Sequence, residues 1–274
     1  MWEWDPTLFA GTATYYSRGR LPYAPAMAAA VREALTLDGR GRLLDVGCGP
    51  GPVALALAPL FEAVVGLDPD HAMLEEAATQ AAAVGVSNAT WVCLRAEELP
   101  ADLGTFRVVS FGQSFHWLQR GQVAAAVFRM LEPGGAFLHV NQEPCRAVPT
   151  ADGPPPPYDH ITRLVRSYLG DVRRAGQGLL PQGTPDNEAT VIESVGFGKE
   201  RTLRLPGGES VVRPVEDVIA WVLSRSDAAP HLFGDRLPQF QQELSHMLTR
   251  AARDGVFREQ QPDTVLRIWL KPRL

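Results

Sequence analysis

Cysteine is scarce. The 274-residue chain has three, Cys48, Cys93 and Cys145, far apart and without C-x-x-C spacing. An odd, scattered set gives neither a disulfide framework nor a zinc-ligand pattern, so we expect no metal and a reducing, cytoplasmic setting. Lysine is nearly missing, two residues against 24 arginines, and with abundant alanine this fits a GC-rich bacterial coding sequence. Basic runs are missing too, and the net charge of -5 comes from interspersed residues. A nucleic-acid surface must neutralise many phosphates, so no nucleic-acid partner is expected. No apolar run reaches the roughly 20 residues of a membrane-spanning helix. The longest, PVALALAPLFEAVVGL, is broken by Pro59 and Glu62. The opening MWEWDPTLF has neither a basic start nor the apolar core of a secretory signal.

What is present is ordinary globular composition, 45% hydrophobic and 21% charged, enough for one large domain. Ala24 to Leu37 has helical composition and stops at DGRG. From there short apolar, β-branched runs alternate with helical segments. The strands are Arg42 to Val46, Ala63 to Asp68, ATWVCL, RVVSFG and AFLHV; the helices are PVALALAPL, PDHAMLEEAATQAAAVG and GQVAAAVFRMLE, the last followed by a PGG turn. This alternation predicts an α/β fold, a doubly wound, Rossmann-like, mostly parallel sheet covered on both faces. Beyond Val140 four consecutive prolines in QEPCRAVPTADGPPPPYDH mark a connector leaving the sheet. EATVIESVGFGKERTLRL restores a helix, a glycine stop and a strand, Pro214 to Arg253 is helical in pattern, and TVLRIWL is a last strand, expected antiparallel.

The stretch LLDVGCGPGP places Gly47, Gly49 and Gly51 between the first strand and a helix that opens at Pro52. Glycines cost backbone entropy, so a cluster marks a sharp turn or a close approach by another group. In an open α/β sheet that turn lies where ligands bind. A dinucleotide site expects G-x-G-x-x-G, and Pro52 stands where its third glycine belongs.

The D-x-G-x-G-x-G pattern, with VVGLD following, resembles the class I S-adenosylmethionine-dependent methyltransferases. The similarity runs from about Arg42 to Val140. It implies S-adenosyl-L-methionine as cofactor, packed on the main chain of Asp45, Gly47, Cys48, Gly49 and Gly51, with Asp68 accepting hydrogen bonds from both ribose hydroxyls. LDPDHAML resembles the family's D-x-x-x-x-M-L pattern, which implies Met73 near the adenine and Pro69 among the cofactor-binding residues; RAEELP resembles the segment whose Ala96 and Glu97 approach the adenine edge. YYSRGRLPYAP resembles the arm of the trans-aconitate methyltransferase-like subgroup, which folds across the cofactor; Tyr16, Arg20 and Tyr23 hold the matching positions. MLEPGG resembles the structural turn before strand five.

The resemblance also places SFGQSFHWL on the methyl path. Gln113 is expected to hold the methionyl amino group or a substrate oxygen, with Phe115 and Trp117 walling the acceptor pocket. His116 is the candidate catalytic base, the alternative being an orienting or packing residue. Arg107 stands where many relatives have aspartate, and we expect it to affect stability or surface pairing, not binding. The expected organisation is one methyltransferase domain over 1–274. An arm and helix occupy 1–40, the cofactor-binding core 41–142, the remaining sheet with helical cap insertions 143–263 and the last strand 264–274. The expected activity is methyl transfer to a small-molecule acceptor, most readily oxygen; the aromatic cap also suits a homodimer contact. A cofactor-binding protein that senses or does not methylate, and an NAD-dependent oxidoreductase, stay open as alternatives.

Overall fold

A strand whose alternate side chains point to opposite faces can be apolar throughout only where both faces are covered. The computed structural model, which describes residues 5–143, 153–171, 174–175, 178–179 and 187–273, has such a sheet. In chain order the elements begin with α1 (Ala13–Gly19), α2 (Met27–Leu35), β1 (Arg42–Val46), α3 (Pro52–Leu57), β2 (Ala63–Asp68), α4 (His71–Val84) and β3 (Ala89–Cys93). Next come β4 (Phe106–Gly112), α5 (Arg120–Met130), β5 (Leu131–Gln142), α6 (Tyr158–Leu169), the two-residue strands β6 (Arg174–Ala175) and β7 (Gly178–Leu179), and α7 (Glu188–Ser194). The chain closes with β8 (Arg201–Leu205), β9 (Ser210–Pro214), α8 (Val215–Leu223), α9 (Leu237–Ala251), β10 (Val256–Gln260) and β11 (Thr264–Leu270).

Seven strands form the main sheet in the order β3-β2-β1-β4-β5-β11-β8. β1 to β5 pair in parallel, and β11 runs antiparallel to β5 and β8. Strand order reverses between β1 and β4, so the crevice at their carboxyl ends is the fold's ligand position. Leu43, Val64, Val108 and Leu138 face a layer that includes Met27 and Val31 of α2 and Val53 and Leu57 of α3. Their neighbours Leu44, Val65, Val109 and Phe137 face the opposite layer, with Val123 and Val127 of α5 and Ile192 of α7. Phe137 is fully buried, stacked on Phe111 at 4.6 Å and met edge-on by Trp269 at 5.7 Å.

The PGG turn expected before strand five lies inside β5. Gly134 has φ +78°, and the pairing with β4 shifts register between Phe106 and Val108, so the turn is an irregularity within a longer strand. Arg107 bonds Asp38 and the Thr36 carbonyl at the sheet's lower edge, a surface pairing remote from the crevice.

A second core gathers α6, α8, α9 and the β9–β10 hairpin through Ile161, Val218, Phe240, Leu244 and Phe257. These segments enter after β5 and after β8, where helical insertions were expected, but the hairpin was not read from the sequence. α1 packs on α8. Cys145 lies outside the described residues; Cys48 is buried and Cys93 exposed. Among the described residues no helix is long and apolar enough to cross a membrane, and no group of three or more His, Cys, Asp or Glu could hold a metal ion.

Candidate functional site

The three glycines answer to different neighbours. All have positive φ, +63°, +53° and +82° at Gly47, Gly49 and Gly51, a region that L side chains rarely adopt. A Cβ on Gly47 would meet Ser114 Cβ at 2.6 Å, and one on Gly51 would meet the Trp91 ring at 2.8 Å. A Cβ on Gly49 would meet nothing within 4 Å. Gly47 and Gly51 therefore let protein pack on protein, whereas Gly49 bares main chain to open space.

That space is a cleft of about 270 Å³ at the β1–β4 switch point. Gly47, Gly49 and Asp68 form its floor, Met73, Trp117 and Leu118 an apolar flank, and Leu8, Phe9 and Tyr16 of the N-terminal arm its cover. Phe9 meets Trp117 edge-on, ring centroids 5.7 Å apart. Asp68 Oδ2 accepts from the Gly49 N–H at 2.9 Å and Oδ1 from the Asp70 N–H at 2.9 Å. Desolvation pushes its carboxyl up to about 6 against those two bonds. Each carboxylate oxygen has a second lone-pair direction, so an ionised Asp68 can still accept from hydroxyl groups. Pro69 and Asp70 complete that rim.

A second cavity adjoins the first through Tyr16 and Gln113, which line both. Arg20 and Tyr23 line it as well. The Arg20 guanidinium lies 4.9 Å from the Tyr16 ring centre and donates to the Ser224 carbonyl at 3.0 Å. Its Nε is buried without a partner. Gln113 has φ +57°, its N–H held by the Val140 carbonyl at 3.1 Å and its side chain bonded to Tyr23, whose hydroxyl burial raises.

Other expected site residues lie elsewhere. Asp45 is buried beneath the turn: Oδ2 accepts from the Ala54 N–H at 3.1 Å and Oδ1 from the Ser110 hydroxyl at 2.7 Å. It ties β1 to α3 and β4, and burial pushes its carboxyl up to about 7. Cys48 is buried under Gly66, its thiol raised well above the usual range by burial. Ala96 belongs to the core, and Glu97 turns away to accept from the Gln119 N–H at 3.0 Å where α5 begins. Arg95, one residue earlier, lines the cleft instead. Phe115 is fully buried against Phe111 and Phe137, so of the two expected pocket aromatics only Trp117 reaches the cleft.

His116 lines neither cavity. Its ring packs 5.0 Å from that of Trp117, and desolvation, with His139 and Arg120 adding to it, depresses it to about 4. It is therefore neutral at pH 7. Nearby, His139 Nδ1 lies 2.9 Å from Glu188 Oε2, and Arg267 joins Glu188 to Glu200. His139 Nε2 is buried without a partner. The carboxylate that meets His139, Glu188, lies 49 residues further along the chain, and the pair was not read from the sequence. Ser114, whose hydroxyl donates to the Val46 carbonyl at 2.5 Å and seats Gly47, was not read from it either.

Main chain bared at the β1 turn, an acidic residue ending β2 and an apolar flank thus meet in one cleft at the switch point. Residues 43–135 match the family model described as a methyltransferase domain. The methyltransferase-domain match holds the cleft floor, Gln113 and Trp117, and leaves the arm and the cap outside it. The chain is 33% identical over 112 residues to an uncharacterized methyltransferase, sll0829, of Synechocystis, covering 40% of this chain and 50% of that protein. It is 33% identical over 101 residues to the uncharacterized methyltransferase YcgJ of Bacillus subtilis, covering 36% and 40%. These matches span no more than half the length of either relative. The solved structure of YcgJ superposes with TM-score 0.51 at 18% identity, over 89% of this chain and 97% of that one. A phosphoethanolamine N-methyltransferase 2 of Haemonchus contortus, solved with phosphomonomethylethanolamine and S-adenosylhomocysteine, superposes with TM-score 0.53 at 13% identity, over 98% of this chain and 59% of that one. The sheet and its covering helices are thus those of the Rossmann-like methyltransferase fold.

Proposed function

We propose that the chain is an S-adenosylmethionine-dependent methyltransferase acting on oxygen of a small-molecule acceptor. One observation carries this: bare Gly49 main chain and the Asp68 carboxylate face the same apolar-flanked cleft at the switch point. The donor set suits an adenosine with a methionyl tail. Asp68 would take the ribose hydroxyls, Met73 and Leu118 the flat adenine, and Gly47 and Gln113 the methionyl amino group. Arg20, with its unpartnered Nε, would take the carboxylate.

Bound there, the cofactor supplies an electrophilic methyl group on a positively charged sulfur. The chain's own task is to align the partners and exclude water. Leu8, Phe9 and Tyr16 cover the cleft, and the Trp117 face favours a neighbouring cation. No histidine lines either cavity among the described residues. Asp5 and Asp70 line the cleft beside Asp68, so a hydroxyl acceptor would give its proton to a carboxylate or to water. The arm, with Tyr16, Arg20 and Tyr23 around the second cavity, supports the likeness to the trans-aconitate methyltransferase-like subgroup. On this view 41–142 is the cofactor-binding core and the insertions within 143–263 form the acceptor-side cap.

Calorimetry with S-adenosylhomocysteine and NAD+ in parallel tests the proposal. The expected result is saturable binding of the first and none of the second. Binding of NAD+ alone would replace the methyltransferase by an oxidoreductase.

A further inference from the structure

Arg213 is an arginine with 3% of its surface exposed, on a hairpin that touches neither cavity. A buried charge persists in a fold only when it is paired and its remaining donors are satisfied. Nη1 donates to Glu259 Oε1 at 2.7 Å across the β9–β10 hairpin, and Glu259, fully buried, also accepts from the Tyr158 hydroxyl of α6. Nη2 donates to the Asp217 carbonyl at 3.0 Å in α8 and to the Gly19 carbonyl at 2.6 Å.

Gly19 is the last residue of α1, whose final carbonyls have no partner within the helix. It also has no room for a side chain: a Cβ there would lie 2.3 Å from the Trp221 nitrogen and 2.4 Å from the Ala220 carbonyl carbon. The end of α1 therefore rests on the α8 backbone and is held to it by the buried Arg213 guanidinium and, at the surface, by the bond from Arg18 Nε to Asp217 Oδ1 at 2.6 Å. Tyr16 is one turn earlier and Arg20 one residue later, joined by the bond from the Arg20 N–H to the Tyr16 carbonyl at 3.0 Å. Arg20 reaches α8 as well, at the Ser224 carbonyl. Tyr16, which lines both cavities, and Arg20, which lines the second, thus sit on a segment held by contacts made in the cap.

We propose that Arg213 is a positioning residue for the cofactor cleft, holding Tyr16 and Arg20 in place from the cap through the Gly19 carbonyl. The proposal rests on the cofactor assignment above. It makes the cap part of the cofactor site without any cap residue touching the cofactor, and it couples cap geometry, where the acceptor is expected, to cofactor affinity.

The test is S-adenosylhomocysteine binding by calorimetry on the full chain, with folding followed by near-ultraviolet circular dichroism. Arg213→Met is combined with Glu259→Gln so that no buried charge is left alone. Gly19→Ala is a second variant that leaves the ion pair intact and lifts α1 off α8. Both should fold and bind at least about fivefold more weakly, roughly 1 kcal/mol. Arg213→Lys, which keeps a cationic donor, should fall nearer wild type. In a Tyr16→Ala/Arg20→Ala background the Arg213→Met/Glu259→Gln change should cost less than twofold, since both positioned groups are gone; a merely structural ion pair would cost the same in both backgrounds. Wild-type affinity in both folded variants overturns the inference and leaves the cofactor assignment standing. Absence of binding by the wild-type protein overturns both.

Discussion

Replacing Asp68 by asparagine keeps the side chain's size and removes its charge. The carboxylate already accepts two main-chain N–H groups, from Gly49 and Asp70, so the bonds at stake are those it would add to a ribose. Hydrogen bonds to an ionised group contribute about 1.5–3 kcal/mol, and each 1.4 kcal/mol is tenfold in affinity. Asp68→Asn should therefore weaken S-adenosylhomocysteine binding about 10- to 100-fold, and Asp68→Ala at least tenfold. Titration calorimetry reads the loss, with thermal melting as the control for folding. The wild-type pH profile supplies an independent check on the same group. Asp68 titrates at about 6, raised by desolvation, and its ionised form is the better acceptor. Affinity should be level above pH 7 and fall as pH drops through 6; at pH 5 only about one carboxyl in eleven is ionised, for a loss approaching tenfold. Asp68→Asn should abolish that slope. Unchanged affinity in a folded Asp68→Asn variant, or an unchanged slope, would refute the placement of the ribose on this carboxylate.

The glycines separate binding from folding. Gly49→Ala should cost about 1 kcal/mol of stability from its positive φ yet weaken cofactor binding at least about tenfold, because its Cβ enters the cleft. Gly51→Ala, driven into Trp91, should cost about 2–4 kcal/mol in denaturant melts. Phe137→Ala empties the centre of the aromatic stack and should cost about 3–5 kcal/mol by the same measurement. His116 titrates at about 4 folded against about 6.5 unfolded, so the unfolded chain binds the proton first and stability falls as pH drops from 6.5 toward 4, by at most about 3 kcal/mol. His116→Gln should lack this loss; parallel wild-type and variant curves between pH 7 and 4.5 would contradict it.

The core of the fold was legible because the signals are local. Leu43 to Val46, Ala63 to Asp68 and Arg107 to Gly112 are apolar runs that only a doubly covered sheet can bury, and Pro52 and Asp70 open helices by themselves. The cap hairpin was not legible because its central charges read as surface. Arg213 and Glu259 are buried only because each finds the other 46 residues away. α1 is seven residues long with no capping side chain, and its stability comes from α8, which no local pattern announces. Within the site, the motif placed Gly49, Asp68, Met73, Gln113 and Trp117 on the cleft but could not say which way neighbours turn. Phe115 and Trp117 are two residues apart, yet the tight turn of the 3-10 segment Phe115–Trp117 buries one and presents the other. Ala96 and Glu97 likewise follow the motif spacing, but the Glu97 carboxylate is drawn to the unpaired N–H groups where α5 starts.

The most direct test is a crystal structure of the full chain with S-adenosylhomocysteine. The account predicts the ligand across Gly47 and Gly49, its ribose hydroxyls on Asp68 and its amino-acid end toward Gln113 and Arg20. Density for the ligand at any other place, or an Asp68 carboxylate that touches no ribose oxygen, would contradict it.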